Sequence, residues 1–229
     1  MTDQMSPMSG CKKMASIMTV GILRPCVVGV DDGDDLDVDL GTVVDKFGIP
    51  YIPKNRMSAR LRDAALRVLG EAGATPADLD AAVALFGASE TTAEQDRAVR
   101  VGRAQWPRDS QATVVAAIRA HEDRYGGSGA MRENVTAALT TTILRTALDD
   151  RKAPRRGSLR EVRAVRPGVV FESELSWTRP PTGPELRFLA RCVLAVEQIG
   201  HGESDHQGRV ECALDGDRET TIRLAYGEA

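Results

Sequence analysis

The chain has 229 residues, 42% of them apolar, 28% charged and only 4% aromatic, with a formal net charge of -3. This is material for one large domain or two small ones with a full core, in the composition range of a soluble globular protein. No run approaches the roughly 20 apolar residues of a membrane helix, and a nucleic-acid partner would find few rings to stack on.

In chain order, residues 1–14 are polar and Met/Ser-rich, lack the apolar core of a signal peptide, and are expected to be a disordered leader. Residues 15–229 read as a single domain. Residues 15–24 alternate as a strand, with Met18, Val20 and Ile22 on one side and Ile17, Thr19, Gly21 and Leu23 on the other. Six aspartates then fall within nine positions, 31–39.

The segment 48–53 contains Pro50 and Pro53, so Tyr51 and Ile52 are expected to be extended and a helix to start only after Pro53, with Asn55 as N-cap. Over 55–71, Met57, Leu61, Ala64, Ala65 and Val68 form an apolar stripe. Lys54, Arg56, Arg60 and Arg62 crowd its first two turns, where the helix dipole disfavours cations. Such a start suits a bound anion, the alternative being a solvated basic face.

Thr75-Pro76 predicts the N-cap and first residue of a second helix ending near Leu85-Phe-Gly87. Residues 87–136 read as a large middle insertion, with a short strand at 102–106 and a helix over 110–121. Residues 135–148 fit either a hairpin or a helix. Residues 159–165 and 169–175 are expected to be strands joined as a hairpin by Arg166-Pro-Gly168. Thr182-Gly-Pro-Glu185 opens a helix with a continuous apolar face, running to Gly200. Strands at 209–214 and 220–226 close the sheet. The order predicts an α+β, ferredoxin-like (RRM-like) sandwich.

Charge is strongly segregated. Against the aspartate run, residues 145–166 hold eight Lys or Arg and three acids, so a basic groove is compatible with an acidic total. The four cysteines, Cys11, Cys26, Cys192 and Cys212, have no zinc spacing and read as reduced thiols of a cytoplasmic protein, with Cys192 and Cys212 buried. Trp177, at a strand end before Thr178-Arg-Pro-Pro181, reads either as core packing or as a platform for a base.

Taken in order, these segments resemble the RAMP superfamily, the backbone subunits of type III CRISPR effector complexes, and most closely its type III-D branch. Leu23-Arg-Pro-Cys-Val-Val-Gly29 stands where that family has its first strand and P-x-x-x-G turn. Ile49-Pro-Tyr-Ile-Pro53 with the basic helix stands at its PYIPGxxLKGxLR motif, and Leu85-Phe-Gly87 at its LFG helix end. Gly157-Ser-Leu-Arg160 through Arg166-Pro-Gly-Val-Val-Phe171 is similar to its GSLR…RPGxxF hairpin, and the stretch 200–208 to its Gly-rich GxxRxRGxGRV loop. The chain departs from the pattern at Ser58 and Ala59, where the family has lysine and glycine, and at Glu203 and Asp205, where the loop has arginines.

The resemblance implies an RNA-binding subunit that holds guide RNA, and the duplex of guide with target RNA, by backbone contacts among other effector-complex protein subunits. The residues expected to do so are Lys54, Arg56, Arg60, Arg62, Arg155, Arg156, Arg160, Arg163, His201 and Trp177. It also implies an alternative: a metal-dependent endoribonuclease for antiviral defence, because cutting relatives carry an aspartate six residues before a second one, as Asp39 precedes Asp45. Asp39 is then the candidate catalytic residue, with Asp37 and Asp39 as ligands of a hard cation such as Mg²⁺. The bland reading of the same run is a solvated Asp/Gly loop tip. A structural subunit without RNA contact is the remaining alternative, favoured by the acidic Glu203 and Asp205.

Overall fold

A computed structural model describes residues 14–29, 41–71, 73–89, 96–148, 154–200 and 207–227, with side chains at 145–148 and 154–160 outside the description. The candidate residues Asp37, Asp39 and His201, the side chains of Arg155, Arg156 and Arg160, and nearly all of the expected leader lie outside the described residues.

The strand β1 (Ile17–Ile22) is followed by β2 (Tyr51–Ile52), the helices α1 (Lys54–Gly70) and α2 (Pro76–Phe86), and β3 (Val99–Gln105). Then come α3 (Arg108–Tyr125), α4 (Gly129–Leu139), the strands β4 (Thr140–Leu148), β5 (Pro154–Val165) and β6 (Val170–Trp177), α5 (Gly183–Ala195), β7 (Val210–Leu214) and α6 (Arg218–Tyr226). The main sheet has the order β2-β3-β6-β1-β7, every neighbouring pair antiparallel, and β4 and β5 form a separate two-stranded ribbon. The protein is therefore a mixed α+β chain built on an antiparallel sheet.

Alternation along β1 puts Met18, Val20 and Ile22 on the buried side, level with Phe171 of β6 and Cys212 of β7. On that side α1 packs on β3 and α5 on β7, α2 packs against α1 and α5, and α6 packs against α5 and β7. The expected stripe of α1 is its buried face: Met57, Leu61, Ala64, Ala65 and Val68. Thr75 caps α2 and Thr182 caps α5, each in a reciprocal pair with the acid three residues on, Asp78 and Glu185.

Several expectations are corrected. The helix α1 starts on Pro53 rather than on Asn55, without a capping side chain. The two strands around Arg166-Pro-Gly168 do not pair with each other. Instead β6 pairs with β1, with Val20 opposite Phe171, whereas β5 pairs with β4 and is bridged to the segment after β1 at Cys26–Val165. The turn still forms on Gly168, whose amide donates to the Ile22 carbonyl at 2.8 Å, but it redirects the chain from ribbon to sheet.

Residues 220–226 are helical, not a closing strand, because the Asp217 carboxylate accepts the Thr220 amide at 2.9 Å and starts α6. The helix α5 ends at Ala195 rather than at Gly200; Val196 and Ile199 are buried beyond it. Residues 135–148 divide between helix and strand, α4 giving way to β4 at Thr140. The stretch 87–136, expected as an insertion, supplies β3 to the main sheet as well as α3 and most of α4.

Candidate nucleic-acid interface

The start of α1 is the chemical focus of the fold. No acid stands in its first turn and no side chain caps it, so its amides and its cations present positive charge in the same direction. Lys54 is exposed and Arg56 and Arg60 are half-buried. Asn55, Arg56, Ala59, Arg60 and Asp63 line a cleft of about 300 Å³ whose far wall is Gly200. Arg60 Nη2 donates to the Gly200 carbonyl at 3.2 Å and Nη1 lies 3.6 Å from the exposed Asp63 carboxylate. The basic helix and the Gly-rich loop, 140 residues apart in sequence, thus meet.

The stem of that loop is tightly built. Gly200 has φ +105°, and a Cβ there would come within 2.6 Å of the Val27 carbonyl oxygen and 3.0 Å of Cys26 Sγ. Cys26 Sγ itself donates to the Ile199 carbonyl at 3.0 Å. Gly208, with φ +71°, returns the chain beside Ile199, and its amide donates to the Pro25 carbonyl at 2.8 Å. Residues 201–206, with His201, Glu203 and Asp205, lie outside the described residues.

The other candidate residues are not all gathered in the cleft. Arg62, two residues beyond Arg60, lies on another side of α1, beside Ser58, Phe86, Arg97 and Val99. Arg163 on β5 is exposed and paired with Glu133 of α4 at 2.9 Å. The Trp177 indole N–H donates to the Ala15 carbonyl at 2.7 Å and the ring packs against the main core. That placement makes Trp177 an edge-packing residue.

The aspartate-rich segment is closed at its base, the Val43 amide donating to the Val28 carbonyl at 2.9 Å. Thr42 donates from both its amide (3.1 Å) and its hydroxyl (2.7 Å) to the Arg163 carbonyl. Asp45, the second aspartate of the expected pair, accepts the amides of Phe47 at 2.8 Å and Ile49 at 3.0 Å, both on Oδ1, so that oxygen braces a turn. Among the described residues no group of three His, Cys, Asp or Glu could hold a metal ion.

The open face of β6, β1 and β7 carries Glu172, Glu174 and Glu211 opposite Ile17, Thr19 and Gly21, while Phe171 points into the core. Arg108 pairs with Glu174 at 3.2 Å and Arg218 with Glu211 at 3.3 Å. Without exposed rings on these strands, the base-stacking platform of an RRM has no counterpart there.

The sequence matches no protein-family model and no curated protein. In three dimensions the chain is similar to a chain of the type III-B Cmr-beta complex bound to cognate target RNA, solved by cryo-EM. The identity is 13% and the TM-score 0.58, over 91% of this chain and 99% of that one. It is also similar to a chain of apo type III-B Cmr-beta, with 13% identity and a TM-score of 0.56 over 89% and 98%. What the chain shares with both is the fold. No helix among the described residues is long and apolar enough to cross a membrane.

Proposed function

We propose that this protein is an RNA-binding RAMP subunit of a type III CRISPR effector complex, holding guide RNA and the guide–target duplex through backbone contacts alongside other protein subunits in the cytoplasm. The observation that carries this reading is the cleft in which Arg56 and Arg60 of the uncapped α1 face Gly200 of the glycine loop. The likeness to Cmr-beta chains, one of them in a complex with target RNA, supports it. The order β1-α1-β3-β6-α5-β7, with strands placed β3-β6-β1-β7, supports the ferredoxin-like description, and the sequence motifs favour the type III-D branch.

Cations that neutralise phosphates make affinity fall with salt, by a slope of about 0.7 per single-strand phosphate contact. A salt titration of guide-RNA binding is expected to be steep, and Arg56→Ala with Arg60→Ala to flatten it by about 1 to 2. A shallow wild-type slope would instead identify a structural subunit without RNA contact.

A second reading, target-RNA cleavage through Asp39 with Asp37 and Mg²⁺, draws support from the closed base of the aspartate-rich segment beside Arg163. Asp39→Ala is expected to abolish Mg²⁺-dependent cutting of target RNA in the assembled complex while guide-RNA binding persists. Undiminished cutting removes Asp39 from the chemistry.

A further inference from the structure

A second group of cations, on residues that do not line the α1 cleft, stands where the 45–51 turn, β2, β3 and α3 meet. Lys46 Nζ stands 5.1 Å and the Arg119 guanidinium 5.9 Å from the centre of the Phe47 ring. The Arg103 guanidinium stands 5.5 Å from the centre of the Tyr51 ring, and its Nε donates to Gln105 Oε1 at 3.1 Å. Tyr51 is opposite Gln105 in the β2–β3 register, and Asp45, Tyr51, Arg103, Gln105 and Gln111 line one small cavity. Gln111 and Arg119 are eight residues apart on α3, about 12 Å along the helix. The two cation–ring groups therefore stand at the two ends of a short strip.

Lys46, Arg103 and Arg119 are exposed, Phe47 and Tyr51 half-buried, and among the described residues no carboxylate pairs with any of the three cations. Asp45, the acid that shares the cavity with Arg103, turns Oδ1 to the Phe47 and Ile49 amides and makes no ion pair with these cations. A fully solvated arginine would have to surrender its rotamer freedom to hold a ligand. Here the rings hold the guanidinium groups at the surface in advance. Flat guanidinium planes with rings beneath them suit stacked bases, and their charge suits the phosphates between those bases.

From this we infer that Lys46, Arg103 and Arg119 form a contact surface for a single-stranded RNA segment, with Phe47 and Tyr51 as positioning residues. The inference rests on the RNA-binding reading above and adds a site that the α1 cleft does not contain. The turn follows directly on the aspartate-rich segment, so an RNA strand on this strip would run beside that segment's base.

The test is fluorescence anisotropy of the full chain with fluorescein-labelled oligouridylate across a salt series, beside the α1 variants as reference. Arg103→Ala with Arg119→Ala is expected to weaken binding about tenfold and to reduce the salt slope by about 1.4, two single-strand contacts. Phe47→Leu with Tyr51→Leu is expected to weaken binding about threefold with the slope unchanged, since the charges remain and only their ordering is lost. Photo-cross-linking with 4-thiouridine RNA is expected to label 46–51, 103 or 119. Wild-type binding that the arginine pair leaves within about twofold, with no such cross-links, overturns this surface and spares the cleft. Wild-type chain that does not bind the oligonucleotide at all overturns both.

Discussion

Glu185 is the buried carboxylate of the described core, and its partners show how a single residue sets a pH window. Arg179 donates to it from both terminal nitrogens, and the Thr182 amide adds a bond of 2.8 Å. The Arg179 hydrogen bonds hold its pKa at about 2 against an ordinary 4.5, outweighing the burial that would raise it. A depressed carboxylate stabilises the fold fully above its unfolded pKa and loses that contribution as pH falls toward its folded one. The wild type should therefore lose stability between about pH 4.5 and 2 on this account. Glu185→Gln should be about 2 kcal/mol less stable at pH 7 and flatter across that window, as read from urea midpoints. The sequence placed the residue in the helix start Thr182-Gly-Pro-Glu185; its partner Arg179, outside the helix, was not legible there.

At the scale of elements, α1 gives the sharpest contrast. Leu61 is fully buried and Leu66, five residues on, is 70% exposed. Leu61→Ala should cost about 3 kcal/mol and Leu66→Ala less than about 0.5, measured by thermal or urea unfolding. Helices announced themselves by their caps in α2 and α5 and by the apolar period alone in α1. They were misread where β-branched residues imitate a strand: Thr220, Thr221 and Ile222 suggested one, but Asp217 captures the Thr220 amide and the Thr221 hydroxyl bonds back to the Asp217 carbonyl. The strands flanking Arg166-Pro-Gly168 have the alternation of a hairpin and a turn to match. Pairing is nevertheless settled by competitors: the distant β1 captures β6, and the preceding strand β4 captures β5.

Across the whole molecule, three cysteines report on global unfolding. Cys26, Cys192 and Cys212 are buried thiols outside any disulfide, and burial pushes the Cys212 thiol up to about 12 and the Cys192 thiol higher still. A thiolate is the reactive form, so all three should resist iodoacetamide in native buffer and react together only as urea unfolds the chain, as followed by mass spectrometry. Labelling of any of them under native conditions would reveal a local opening of the core. The amino-acid order by itself determined the α+β class, the faces of the main helices and the cations at the head of α1, because period, caps and proline act within a few residues. Only the tertiary structure decided that Arg60 meets Gly200 while Arg62 and Arg163 turn elsewhere, and that Phe47 and Tyr51 underlie arginines from α3 and β3. Those contacts join segments tens to more than a hundred residues apart, and no local preference of the chain encodes which distant neighbour will be present.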